Sequence, residues 1–181
     1  MKMKNSWVVV GPEGSGSSLM AKTISYALNH CSYFGQYSGY GFNNKKPCEN
    51  YILHRSLPNR RPKKFQDTLR SEIREFSDKF EKVNYILTTR DINCSILSKI
   101  TRFGGNITDA KQDYNKTLPY FEELVDNDNC YIWNYESMIL LGRPYFMRMY
   151  RFFKIKSDFV PNIYDANSAY IKKHIKKPKT P

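Results

Sequence analysis

Eight residues near the amino terminus, Gly11–Ser18 with the sequence GPEGSGSS, combine three glycines and three serines directly after an apolar run. Glycine lets the backbone turn tightly and approach an anion closely. Successive backbone amides and the start of a following helix then form a site for phosphate or sulfate, to which hydroxyl groups add donors. The residues predicted to hold the anion are Gly14, Ser15, Gly16, Ser17 and Ser18. A tight strand-to-helix turn without a ligand is the alternative.

The loop lacks one residue that nucleotide-binding loops of this kind carry. Ser17 occupies the position at which a lysine would contact the phosphates of a nucleoside triphosphate. Hydrolysis of such a triphosphate requires a cation on the β and γ phosphates and a Mg²⁺ ion held at the loop. The loop therefore favours a ligand that brings fewer charges to it.

An arginine and a serine follow a second apolar run, NYILTT. Arg90 comes directly after this run, and Ser98 lies eight residues later on a predicted helix. A guanidinium and a hydroxyl so placed can converge on one phosphate, with the arginine making a forked contact. A surface ion pair between Arg90 and Asp91 is the alternative. Ligands of parallel sheets lie beyond the carboxyl ends of the strands, so this pair and the glycine-rich loop are predicted to share one site.

Group transfer to a hydroxyl or an amine needs a residue that accepts the proton. His54 follows the apolar run YIL and is the one histidine at a predicted strand end. An imidazole accepts a proton near neutral pH, which makes His54 the first candidate base. Glu13, in the loop, is the second candidate, and a packing role for His54 is the alternative. No cysteine or histidine spacing matches a metal site, so no metal is expected.

Alternating strands and helices are predicted to position these residues. Strands are predicted at Trp7–Val10, Tyr51–Leu53, Asn84–Thr89 and Cys130–Trp133. Helices are predicted at Ser17–His30, Lys63–Glu81, Asp91–Arg102, Thr108–Val125, Gly142–Ile155 and Asn167–Ile175. In the helix at Thr108–Val125, Asp109 is the predicted N-cap and Pro119 a predicted kink or break. Tyr33–Asn50 is predicted to be an irregular loop. The order predicts an α/β fold of three layers, in which a mostly parallel central sheet has helices on both faces.

Length and charge limit the classes of protein. The 181 residues fit a single domain, residues 1–181, with a basic tail at about 172–181. The net charge of +12 favours anionic partners, among them nucleotides, sulfated or phosphorylated molecules, nucleic acids and anionic membranes. The four cysteines show no paired spacing, which indicates free thiols in a reducing compartment. The amino-terminal apolar run is too short for a signal peptide or a membrane span, so a cytoplasmic protein is expected.

Taken in order, these motifs resemble those of sulfotransferases that use 3′-phosphoadenosine 5′-phosphosulfate (PAPS). In that family a serine- and glycine-rich loop holds the 5′-phosphosulfate, and SGSS at Ser15–Ser18 is similar to it. An arginine, followed eight residues later by a serine, holds the 3′-phosphate, and Arg90 and Ser98 match this spacing. The stretches NYESM at Asn134–Met138, GRPYFMRMYRFFKI and YDANSAYIKK resemble later family segments. The resemblance implies a P-loop NTPase-like fold of the sulfotransferase type, with PAPS as cofactor and adenosine 3′,5′-bisphosphate (PAP) as product.

The chain departs from the family at two places. Family members that act on small molecules carry a lysine just before the Ser-Gly of the loop, where this chain has Gly14, and Lys22 or Arg55 could replace it. The same members carry a histidine in a strand-end segment that ends in Leu-Pro. His54 lies in a similar segment, two residues out of register. Other branches use a carboxylate, for which Glu13 is the candidate.

The resemblance implies transfer of a sulfonate group to a hydroxyl or an amine of a small-molecule or carbohydrate acceptor. The loop Tyr33–Asn50 and the segment Phe103–Thr117 are expected to set specificity, because loops carry most recognition. Neither a nucleic acid partner nor a membrane span is expected. Two alternatives stay open: a nucleotide or nucleoside kinase-like P-loop protein, and a nucleotide- or nucleic-acid-binding protein without catalysis.

Overall fold

Five parallel strands form the centre of the computed structural model, which describes residues 3–29, 32–34, 50–57 and 73–174. The strands are β1 (Met3–Pro12), β2 (Ser32–Phe34), β3 (Asn50–Leu57), β4 (Phe80–Thr89) and β5 (Cys130–Asn134). They lie in the order β2-β3-β1-β4-β5, and all four pairings are parallel. The predicted α/β class and the parallel sheet are therefore confirmed.

Seven helices accompany the sheet in the described part of the chain. They are α1 (Ser17–Ala27), α2 (Ile92–Phe103), α3 (Ile107–Asn115), α4 (Leu118–Val125), α5 (Tyr135–Leu141), α6 (Arg143–Phe153) and α7 (Asn167–His174). Residues 73–77 are also helical. None of the described helices is long and apolar enough to cross a membrane.

The central strand β1 separates two hydrophobic cores. Side chains alternate along a strand, so Trp7 and Val9 face one side of the sheet, whereas Val8 and Val10 face the other. The first core is completed by α1, α5 and α6, and the second by residues 73–77 and α4. This burial of both faces explains why β1 is a continuous apolar run rather than an alternating one.

Strand β3 is longer than the sequence indicated, and this moves His54. The strand runs to Leu57 instead of ending at Leu53, and His54 lies opposite Val9 of β1. The prediction that His54 ends a strand is therefore wrong. Pairing with β1 continues through the polar residues at 54–56 because the ladder is made by backbone groups, whatever the side chains are.

Further boundaries differ from the predicted ones, among them those of the segments before β3 and before β4. Strand β2 lies where an irregular loop was predicted to begin at Tyr33, while residues 35–49 are outside the described part of the chain. The helix predicted at Lys63–Glu81 is described only from residue 73, is helical at 73–77, and gives way to β4 at Phe80. The apolar spacing that includes Phe80 fits a helix, but Phe80 packs against Phe76 and Tyr51 from the strand.

The helices after β4 test the predictions made for Pro119 and Asp109. The break predicted at Pro119 is confirmed, because α3 ends at Asn115 and Pro119 lies in the first turn of α4. The predicted N-cap, Asp109, is wrong: the side chain of Asn106 caps α3 by accepting a hydrogen bond of 2.8 Å from the backbone N–H of Asp109. Helix α5 was not predicted.

The topology creates a crevice between β1 and β4. The connection that leaves β1 packs α1 on the first face of the sheet, whereas the connection that leaves β4 packs α4 on the second face. Adjacent strands whose connections diverge in this way leave an opening at their carboxyl ends, where α/β proteins bind ligands. The glycine-rich loop follows β1, and Arg90 follows β4, so both predicted motifs border this opening.

Candidate anion-binding site

A cavity of about 350 Å³ lies at this crevice, within the size range of small-molecule sites. Six of the seven residues predicted to bind the cofactor line it: Gly14, Gly16, Ser17, Ser18, Arg90 and Ser98. Glu13 lines it as well. The seventh, Ser15, is fully buried, and its hydroxyl lies 2.7 Å from that of Thr88 on β4. Ser15 therefore links the loop to β4 by a hydrogen bond.

Glycine is required in the loop for two separate reasons. Gly14 has a φ of +86°, and a Cβ atom there would lie 2.7 Å from the backbone oxygen of Ser95 on α2. Gly16 also has a positive φ, +94°, and is the N-cap of α1, where no side chain of a described residue caps the helix. The amides of this first turn are consequently available to an anion in the cavity.

Arg90 is held in place by hydrogen bonds and by two aromatic rings. Its Nε donates to Oδ1 of Asn167 at 2.6 Å, and its Nη1 donates to the carbonyl oxygen of Gly14 at 2.8 Å. The guanidinium also lies 4.5 Å from the ring centroid of Tyr135 and 5.4 Å from that of Tyr170. Its Nη2 is buried and has no hydrogen-bond partner among the described residues. An unpartnered buried donor is costly, and an anion that reached Nη2 would satisfy it.

Residues far apart in the sequence support Arg90. Asn167, at the start of α7, donates from Nδ2 to Oε1 of Glu136 at 2.7 Å. The same carboxylate oxygen accepts from the backbone N–H of Asp91 at 3.0 Å. Asp91 caps α2 by accepting from the N–H of Cys94 at 2.8 Å, so its side chain serves the helix rather than an ion pair with Arg90. Asn167 and Glu136 were not predicted as site residues, although Glu136 lies in the stretch NYESM and Asn167 in the stretch YDANSAYIKK.

Helix α2 presents a second set of groups to the cavity. Ser98 is buried against Gly14, and its hydroxyl makes no hydrogen bond to any residue that the structure describes. Arg102 follows four residues later and lines the same cavity, as does Phe103, which is 51% exposed. Residues at i and i+4 share one face of a helix, so the spacing from Ser98 was the signal that could have identified Arg102.

His54 lies beneath the loop and outside the described lining of the cavity. Opposite residues of neighbouring strands point to the same face, so the pairing with Val9 directs His54 toward α1. Its Nε2 lies 2.9 Å from the hydroxyl oxygen of Ser17, and only 2% of the residue is exposed. Burial, with a smaller contribution from the neighbouring Arg55, lowers the pKa of His54 to about 4. His54 thus braces Ser17 as a neutral group.

This low pKa predicts a specific pH dependence of stability. The unfolded pKa is 6.5 and the folded pKa about 4, so the folded protein binds fewer protons between these values. The contribution of His54 is complete above pH 6.5 and falls by about 3 kcal/mol as the pH decreases to 4. Denaturant unfolding at several pH values should show this loss in the wild type and not in His54→Gln. Parallel curves for the two proteins would exclude the effect.

Of the two candidate bases, Glu13 is the one that lines the cavity. It is 8% exposed, and its Oε2 lies 3.2 Å from Nζ of Lys99 on α2. The two cations considered as replacements for the loop lysine lie elsewhere. Lys22 is exposed on α1, and the buried Arg55 donates to the carbonyl oxygen of His54 at 2.7 Å. Neither lines the described part of the cavity.

Among the described residues, no group of three or more histidines, cysteines or carboxylates could hold a metal ion. A scan against protein-family models found no match, and a search of the curated proteins found none either. Function is therefore inferred from the chemistry of the cavity. Two arginines, an uncapped helix N-terminus and several hydroxyls suit an anion with more than one acidic group.

Proposed function

We propose that this protein is a PAPS-dependent sulfotransferase with a P-loop-like fold. One observation carries the proposal: Arg90 and Ser98 both contact Gly14 and line a single cavity, and neither Nη2 of Arg90 nor the hydroxyl of Ser98 has a hydrogen-bond partner among the described residues. The 5′-phosphosulfate would lie on the amides of the loop and α1, and the 3′-phosphate between Arg90 and Ser98. The spacing of the two motifs in the sequence supports the same assignment.

The side chains suit sulfonyl transfer to a hydroxyl or an amine. PAPS, when bound, supplies the sulfonate, whose bond to the 5′-phosphate oxygen breaks as the acceptor attacks sulfur. The amides of the first turn of α1 and the hydroxyls of Ser17 and Ser18 would stabilise the negative charge that develops there. Glu13 would take the proton of the acceptor, because it is the candidate base that lines the cavity. Arg90 and Ser98 would hold the nucleotide by its 3′-phosphate throughout.

A second candidate function is nucleotide binding without transfer. It is favoured by the burial of His54, which leaves Glu13 as the one candidate base at the cavity. A kinase-like function is less compatible with Ser17 at the lysine position. The nucleic-acid alternative is supported by net charge alone.

Sulfonate transfer from radiolabelled PAPS tests the proposal. The full chain would be incubated with labelled PAPS and a panel of hydroxyl- and amine-bearing carbohydrates and small molecules. We expect label to move to at least one acceptor with release of PAP. Binding of PAPS without transfer to any acceptor would favour the second candidate. Thermal stabilisation by Mg-ATP, and none by PAP, would contradict the sulfotransferase proposal. Stabilisation by single-stranded DNA alone would contradict both candidates.

A further inference from the structure

A buried lysine lies directly behind the glycine-rich loop. Lys99 of α2 is 4% exposed, and its Nζ lies 2.6 Å from Oδ2 of Asp113 on α3 and 3.2 Å from Oε2 of Glu13. Lysine is almost never buried without a partner, and a single carboxylate is enough to pair it. The second contact, to Glu13, connects α2 to the loop and requires an explanation of its own.

The explanation starts from the charge of Glu13. A carboxylate that lines an anion-binding cavity repels the ligand, and a repulsion over a few ångströms is strong away from bulk water. Asp113 also lies 3.5 Å from Nζ of Lys116, so in the described part of this cluster two lysines form ion pairs with two carboxylates. Without Lys99 the cluster would carry an excess negative charge beside the loop.

We propose that Lys99 compensates for the missing loop lysine by neutralising the negative charge of Glu13. It neutralises the carboxylate from behind, so that the loop accepts the 5′-phosphosulfate while one oxygen of Glu13 stays available to the acceptor. Lys99 is thus a positioning residue, because it lies outside the described lining of the cavity. The identity of the anion rests on the proposed function, whereas the charge compensation does not.

Two features of the geometry favour this role over a purely structural one. Ser98 and Lys99 are consecutive, so one turn of α2 delivers a hydroxyl to the cavity and an ammonium to the loop. Glu13 lines the cavity, whereas its Oε2 is buried beside Lys99, so this one side chain borders both the cavity and the buried lysine. The other charged side chains at the cavity, Arg90 and Arg102, border it directly.

Calorimetric titration with PAP and with adenosine 3′-monophosphate tests the proposal on three proteins: wild type, Lys99→Met and the double variant Lys99→Met/Glu13→Gln. We expect Lys99→Met to weaken PAP binding about 10- to 100-fold, because an unbalanced carboxylate then faces the 5′-phosphate. Adenosine 3′-monophosphate, which has no 5′-phosphate, should change by less than about threefold, and the double variant should return PAP to within about threefold of wild type.

Asp113→Asn is the matched control, since it disturbs the same buried cluster but removes negative charge. It should lower the melting temperature and leave PAP affinity unchanged or tighter. Equal losses for both ligands in Lys99→Met, or no recovery in the double variant, would overturn the proposal and make Lys99 structural. Pyrophosphate titrations of the same proteins separate the role of Lys99 from the identity of the nucleotide ligand. If PAP does not bind the wild type, the proposed function fails, and the pyrophosphate series still decides the role of Lys99.

If Lys99→Met does not fold, the double variant keeps the test decisive, because it lacks the unbalanced carboxylate. The double variant is then expected to fold and to bind pyrophosphate like the wild type. A folded double variant that binds pyrophosphate at least tenfold more weakly than wild type would overturn the compensation, since neutral side chains at both positions should reproduce the balanced charge.

Discussion

Glu13→Gln is expected to lower the rate of sulfonate transfer by about 10²–10⁴-fold, the usual contribution of a general base. Glutamine has nearly the same shape but cannot take the proton of the acceptor. Affinity for PAP should be unchanged or tighter, because the substitution removes a negative charge from the cavity lining. Steady-state rates with the acceptor identified in the transfer assay, together with calorimetric PAP affinities, provide the measurement.

His54→Gln is the control for this prediction. Since His54 is buried beneath the loop and braces Ser17, its replacement should reduce transfer far less than the change at Glu13. The reverse pattern, with full activity in Glu13→Gln and a large loss in His54→Gln, would assign the base to His54. It would also mean that the loop moves away from its position above β3 during the reaction.

Gly14→Ala is expected to lower the free energy of unfolding by about 3–5 kcal/mol and to abolish PAP binding. A methyl group at this position would lie 2.7 Å from the backbone oxygen of Ser95 and 3.1 Å from Cβ of Ser98. These atoms belong to α2, which cannot retreat without disturbing its own helical bonds. The positive φ adds backbone strain. Denaturant unfolding and PAP titration measure the two effects.

Gly104→Ala separates backbone strain from collision. Gly104 also has a positive φ, +73°, but no atom of a described residue lies within 4 Å of a Cβ built there. Its alanine variant should therefore lose only about 1–3 kcal/mol, the cost of a backbone conformation that is sparsely populated by residues other than glycine. Equal destabilisation in the two variants would show that contact between the loop and α2 is unimportant at Gly14.

Local sequence patterns were sufficient to predict where the glycine-rich loop and the residues that follow β4 would lie. The glycines and serines of Gly11–Ser18 determine the turn by their own conformational preferences, and Arg90 and Ser98 lie on consecutive elements with fixed spacing. Parallel pairing of β1 with β4 then brings both motifs to one edge of the sheet. Hence six predicted ligand residues share a single cavity.

Contacts between distant segments could not be predicted from local patterns. The end of β3 is set by pairing with β1, and that pairing moved His54 from the expected strand end to the interior. Asn167 reaches Arg90 across 77 positions of sequence, and Lys99 reaches Glu13 on a different element. Each of these contacts depends on the packing of whole helices. Residues 35–49, most of the loop expected to set specificity, lie outside the described part of the chain.

The dissociation constants of PAP and AMP test the central claim most directly, because the two ligands differ only in the 3′-phosphate. The account predicts that the wild-type protein binds PAP more tightly than AMP by about 1.5–3 kcal/mol, the range for hydrogen bonds to charged groups. Arg90→Met should remove most of this difference, and Ser98→Ala a smaller part, because Arg90 carries the charge. Equal affinities of the wild-type protein for PAP and AMP would contradict the assignment of a 3′-phosphate site, and with it the proposal of a PAPS-dependent enzyme.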